Sequence, residues 1–133
     1  MIHIKPPHTI EIKESPGKGL GVFATALIYE GEIIETCHLI TLPIDHTTGH
    51  ILTDYRFNWP QGLNPQEQVI ALGYGSLYNH SNNPNARWED HPEHKAFNFI
   101  ATQNIYIGEE ICVYYGGNEY WNDGRADKYN KII

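Results

Sequence analysis

Glycine and proline punctuate this chain from end to end, twelve of the first and eight of the second in 133 residues. Spacing of that kind favours many turns and few long helices. The apolar runs between them are short. Thr9-Ile10-Glu11-Ile12-Lys13 alternates polar and apolar, as a half-buried strand does. Glycines at 17, 19 and 21 follow, and Val22-Phe23-Ala24 continues a hairpin. Ile28–Glu32 reads as a turn, and Ile33–Leu42 as a β-branched run without helical period. Residues 43–51 form a loop, Leu52–Phe57 alternates again, and Trp59–Gln68, with two prolines, reads as a connection. Val69–Leu77 is expected to be a short strand and then a turn of helix. Ala86–Asp90 and Ala96–Thr102 should pair as a hairpin around Asp90–His94, and Ile111–Tyr115 is the final strand. Gly116-Gly117 ends it, leaving a polar tail with Tyr120 and Trp121. The expected class is mostly β, with many short strands, in one domain over residues 1–133 (core 9–121, polar C-terminal tail 122–133).

One internal echo is visible. Ile28-Tyr29-Glu30-Gly31-Glu32-Ile33 resembles Ile105-Tyr106-Ile107-Gly108-Glu109-Glu110-Ile111. Two copies fall short of the three or more that a solenoid needs. Reuse of one turn chemistry at two strand starts is the plain reading.

Net charge and composition narrow the function. At 41% apolar and 19% charged the chain suits a globular fold. A formal charge of −7, with no basic run, argues against a direct nucleic-acid partner and for a cationic one. Two distant cysteines, Cys37 and Cys112, suggest free thiols in a reducing compartment. No stretch reaches the ~20 apolar residues of a membrane span, and the N-terminus lacks a signal-peptide core. The expectation is a soluble intracellular protein without a membrane partner.

The most polar stretch is Tyr78-Asn79-His80-Ser81-Asn82-Asn83-Pro84-Asn85, directly after an apolar run. It can be a tight turn, yet it also sets planar donors and acceptors against a dry wall, where a polar ligand could be held. Gly19 and Gly21 permit close backbone approach to a ligand, or merely a β-turn. Tyr74, Tyr78, Tyr114 and Tyr115 bracket the suspicious stretches; they can be ordinary sheet tyrosines or part of a cage for a cation. On a strand, Tyr114 and Tyr115 would point to opposite faces. His91 and His94 lack further ligands at metal-binding spacing, so no metal is expected. Both cysteines lie in apolar runs, as buried thiols do.

Taken in order, four motifs resemble the SET-domain protein lysine methyltransferases: Lys18-Gly19-Leu20-Gly21-Val22-Phe23-Ala24; Gly31-Glu32-Ile33-Ile34-Glu35; Asn79-His80-Ser81-x-x-Pro84-Asn85; and Gly108-Glu109-Glu110-Ile111-Cys112-Val113-Tyr114-Tyr115-Gly116. The third is the most specific. The likeness is nearest to the minimal stand-alone SET proteins of viruses and bacteria. It implies a β-clip fold of small curved sheets with short helical turns and a C-terminal pseudoknot that brings Asn79-His80 beside Tyr115. It implies S-adenosylmethionine as cofactor and S-adenosylhomocysteine as product. Lys18, Gly19, Leu20, Gly21, Tyr78, Asn79, His80, Tyr115 and Trp121 would hold the donor, with Trp121 stacked on its adenine. Tyr115 would be the catalytic tyrosine. Tyr55, Trp88, Val113 and Tyr114 would line the channel for the substrate lysine, with Val113 where many members carry Tyr or Phe. The zinc-binding cysteine clusters of larger members are absent. The implied partner is a lysine-bearing basic protein or peptide, a histone tail being one option, in bacterial cytoplasm or a host nucleus; a homodimer is compatible. Glu35, Asp54 and Glu89 are expected to meet that peptide. A binding module without catalysis is the second reading, disfavoured by Tyr115.

Overall fold

The computed structural model describes residues 7–42, 55–61 and 67–115. These form nine strands and one 3-10 turn. In order they are β1 (Ile10–Ser15), β2 (Gly19–Ala24), β3 (Ile33–Leu42), β4 (Arg56–Trp59), β5 (Glu67–Ala71), the turn Gly75–Leu77, β6 (Asn79–His80), β7 (Ala86–Asp90), β8 (Ala96–Ala101) and β9 (Glu110–Val113). They make two sheets, ordered β1-β2-β9-β6 and β4-β5-β3-β8-β7. The mostly β expectation stands.

Physical reasons for this arrangement lie in the side chains. β8 is buried along its whole length, because β3 and β7 flank it and its Phe97 and Phe99 fill the core. β1 is an edge strand, so its alternation is only partly used: Ile10 is buried while Ile12 stays 36% exposed. One apolar cluster joins the two sheets through Val22, Ile28, Val69, Tyr78, Phe99, Ile105 and Ile111.

Several boundaries differ from the reading of the sequence. The last strand ends at Val113, so Tyr114 and Tyr115 lie beyond the ladder and the opposite-faces argument does not apply to them. Backbone partners for this segment run out there, since β6 is only two residues long. β4 begins at Arg56 and includes Trp59, with Tyr55 in a turn; Leu52–Asp54 lie outside the described residues. Glu67 and Gln68 belong to β5 because they pair with Trp59 and Asn58, rather than to a connection. Val69–Leu77 is a strand end and then a single helical turn, as expected. The loop 43–51 and the tail from Gly116 on, with Tyr120 and Trp121, lie outside the described residues.

The internal echo becomes a pair of matched turns. Ile28 and Ile105 exchange two backbone hydrogen bonds, of 2.9 and 2.8 Å. Gly31 donates to the Ala101 carbonyl at 2.8 Å, and Gly108 to that of Ala24 at 2.9 Å. Ala101 and Ala24 in turn donate to the carbonyls of Glu32 and Glu109, each at 3.0 Å. Gly31 and Gly108 have φ of 86° and 87°, a conformation that costs any residue with a Cβ. The second of these turns launches β9 between β2 and β6, and that insertion builds the site.

Candidate active site

β9 runs antiparallel to β2, with Val22 opposite Ile111, and parallel to β6, with Asn79 opposite Cys112 and His80 opposite Val113. The segment ending at Tyr115 therefore passes directly beside Asn79-His80. Asn85 secures it from the other end of the polar stretch. Its amide nitrogen donates to the Glu110 carbonyl and its oxygen accepts from the Cys112 N–H, both at 2.9 Å. The Asn85 N–H also donates to the Cys112 carbonyl at 3.2 Å, so backbone and side chain together act as a strand partner. Ser81 N–H adds a bond to the Val113 carbonyl at 2.9 Å, while its hydroxyl accepts from Asn83 N–H and shapes the turn.

Asn79 and His80 are each fixed in one orientation. The Asn79 amide nitrogen donates to the Leu20 carbonyl at 3.0 Å and to Glu110 Oε2 at 2.8 Å. Two acceptors on one side settle which end is nitrogen, so the oxygen is the end left to face a ligand. Glu110 is held in turn, its Oε1 accepting from the Ser15 hydroxyl at 2.7 Å. Gly21 makes this possible: a Cβ there would sit 2.9 Å from Asn79 Nδ2 and collide with Glu110 Oε2. His80 Nδ1 accepts from the Tyr115 N–H at 2.9 Å, and Nε2 lies 3.0 Å from Asn82 Oδ1. The imidazole is thus the tautomer with hydrogen on Nε2. Its ring lies 5.2 Å from that of Tyr114 and 5.3 Å from that of Tyr115. The Tyr115 hydroxyl donates to the Tyr78 carbonyl in a short hydrogen bond. Lys18 Nζ approaches the His80 carbonyl at 3.5 Å from the β1–β2 turn.

Lys18, Leu20, Gly21, Asn79, His80, Val113, Tyr114 and Tyr115 are therefore brought to one place. Gly19 opens β2 with φ of 83° and open space where a Cβ would point, leaving room for close approach. Tyr78 contributes only its backbone to this side. Its ring is buried and stacks on Phe99, centroids 4.6 Å apart at 20°. Tyr114 stays 46% exposed, whereas Val113 is buried. Tyr55 is exposed, its carbonyl accepting from the Ser76 hydroxyl at 3.3 Å. Trp88 packs edge-on against Phe57 at 5.1 Å and lies 6.2 Å from Phe99, so one ring separates it from Tyr78.

Glu35 corrects an expectation. It does not face a peptide on the surface: it is 4% exposed, and burial pushes its carboxyl above the ordinary value, opposed by hydrogen bonds from Tyr78, Tyr74 and Cys37. Alternation along β3 could not show this, because the register slips between Ile33 and Glu35. Glu110 and Asn85 were the holding residues that the motifs contained but whose roles their spacing did not announce.

The chain is similar to known proteins along most of its length. The SET domain family model matches residues 19–116. The histone-lysine N-methyltransferase of Schizosaccharomyces pombe specific for H3 lysine-37 is 29% identical over 127 residues, covering 92% of this chain and 83% of the relative. A crystal structure of a candidate histone methyltransferase from Plasmodium falciparum superposes with a TM-score of 0.67 at 33% identity, covering 86% of this chain and 97% of that one. The chain belongs to the SET domain family.

Proposed function

We propose that the protein transfers a methyl group from S-adenosylmethionine to the side-chain nitrogen of a lysine in a basic protein segment, a histone tail foremost, releasing S-adenosylhomocysteine. The observation that carries this reading is the position of Tyr115. Its N–H is held by His80 and its hydroxyl by the Tyr78 carbonyl, where the Asn79-His80 strand and β9 meet. The two histone methyltransferases similar to this chain support the substrate class.

When bound, the donor supplies an electrophilic methyl on a sulfonium sulfur. The residues present fit its amino-acid end. Asn79 offers an amide oxygen to an ammonium, Lys18 offers a cation to a carboxylate, and Gly19-Leu20-Gly21 offers an open backbone edge. Trp121, outside the described residues, is proposed as the ring that stacks on the adenine. Tyr55, Trp88, Val113 and Tyr114 are proposed to line the passage for the lysine, with Val113 at a position that helps set how many methyl groups are added.

The attacking lysine must be neutral, although its ordinary pKa is near ~10.4. A dry passage disfavours the ammonium, by up to ~3–5 units in extreme cases, so no carboxylate base is assigned. The tyrosines do the remaining work. Tyr115 would offer its hydroxyl oxygen and electron-rich ring to the positive charge of the donor and the amine. Alignment of donor and acceptor is worth up to ~7–11 kcal/mol, which explains the number of hydrogen bonds that converge on this short segment. An acidic chain suits a basic peptide, which would add along a strand edge.

Tritiated S-adenosylmethionine with a panel of basic peptides, histone tails included, tests the reading. Wild type labels a lysine, and Tyr115→Phe loses on the order of 10²-fold or more in rate, as loss of a fixed dipole aimed at transition-state charge does. Equal rates for the two proteins would remove Tyr115 from this role.

A further inference from the structure

Among the described residues, Glu35 is a buried acid that the methyl-transfer scheme leaves without a task. β3 carries the Glu35 carboxylate into the core, and residues 73–78 wrap onto it. Oε1 accepts from the Tyr78 hydroxyl at 2.6 Å, and Oε2 accepts from the Tyr74 N–H at 3.3 Å. The Cys37 sulfur lies close by, on the same side of Gly73. The wrapping is tight enough to require glycine twice. A Cβ on Gly73 would stand 2.8 Å from Glu35 Oε2, and one on Gly75 would stand 3.0 Å from Cys37 Sγ. Gly73 also adopts φ of 68°.

Such a group is an expensive way to fill a core. A buried carboxylate is tolerated only where donors converge on it, and apolar side chains of similar volume often replace buried charge without loss of stability. What the carboxylate does supply is two fixed attachment points on one turn. The second is the hydroxyl of Tyr78, whose own carbonyl accepts the hydroxyl of Tyr115. Tyr78 is a rigid link between the two, because its ring is buried and stacked on Phe99. Asn79 and His80 follow it immediately.

We propose that Glu35 is a positioning residue for methyl transfer: by holding the Tyr74 amide and the Tyr78 hydroxyl, it sets where the Tyr78 carbonyl meets the hydroxyl of Tyr115. This rests on the reading of Tyr115 as the tyrosine beside the transferring methyl. Glu35 touches neither donor nor lysine and acts through Tyr78.

The test is steady-state methylation of one basic peptide by the full chain, for wild type, Glu35→Gln, Tyr78→Phe and the double variant, each with its thermal midpoint. Each single variant should lower kcat roughly tenfold, short of the ~10²-fold that a misplacement of about 1 Å can cost. KM for the donor should stay at the wild-type value, and kcat should fall at temperatures where each variant is still fully folded, which separates positioning from mere support of the fold. The double variant should fall no further than the weaker single one, since both cut the same chain of contacts. Wild-type kcat in both single variants, beside an active parent, overturns the inference alone. So does a loss of kcat that disappears in both once activity is counted per folded molecule. A parent that binds S-adenosylmethionine by calorimetry yet labels no peptide overturns the functional reading, and this inference with it.

Discussion

The turn at Ile28–Ile33 and the turn at Ile105–Ile111 share a backbone and differ in what they deliver. In each, the glutamate after the glycine folds back on the tyrosine three residues earlier: Glu32 N–H bonds the Tyr29 carbonyl and Glu109 N–H that of Tyr106, both at 3.0 Å. The same glutamate side chains accept from the N–H of Tyr29 at 3.4 Å and of Tyr106 at 2.8 Å. Beyond this point the copies diverge. The residue after the first turn is Ile33, 55% exposed. Its counterpart is Glu110, which holds both Ser15 and Asn79. Next come Ile34 and Ile111, both buried, and then Glu35 and Cys112. Turn chemistry thus decides where a strand begins, while the residues just after the turn decide whether that strand builds a core or a site.

The comparison can be broken at its shared centre. Ile28→Ala and Ile105→Ala each empty a fully buried position, and each should cost about 2–5 kcal/mol in urea denaturation. A large cost in one and none in the other would deny that the turns are equivalent. At the diverged position the expectation is asymmetric. Glu110→Gln turns a donor toward Asn79 and should weaken S-adenosylhomocysteine binding roughly tenfold, in keeping with the ~1.5–3 kcal/mol of a hydrogen bond to a charged group. Ile33→Gln should leave the same calorimetric affinity unchanged. A smaller, symmetric effect is expected at the glycines. Gly31→Ala and Gly108→Ala meet no steric obstacle, so each should lose only the ~1–2 kcal/mol of a left-handed backbone, read from the denaturation midpoint.

The subtlest difference lies in pH. Burial holds the Glu35 carboxyl above its ordinary value of 4.5. Below that value the advantage of the neutral form is fully present. As pH rises from there to the folded-state pKa, the unfolded chain gives up its proton first and stability is lost. Glu35→Gln removes this dependence, so its thermal midpoint relative to wild type should rise as pH climbs above 4.5. A difference that shrinks with pH would mean the carboxyl is not held high.

Much of this was legible in residue order. Glycine spacing and turn residues marked β1, β2 and the two matched turns, because backbone conformation there depends on neighbours a few positions away. The polar run 78–85 announced a site. Its Asn79, His80 and Asn85 do hold β9, yet the bonds they make reach residues about thirty positions on. What alternation could not read was depth. Glu35 sits where a register slip turns it into the core, and Tyr114 and Tyr115 leave the ladder because β6 is two residues long. Local preference fixes the strands and turns that a chain can form. Only their packing sets β9 between β2 and β6, buries Glu35 beneath Tyr78, and brings the Tyr115 hydroxyl to its carbonyl partner, since those contacts join residues far apart in sequence.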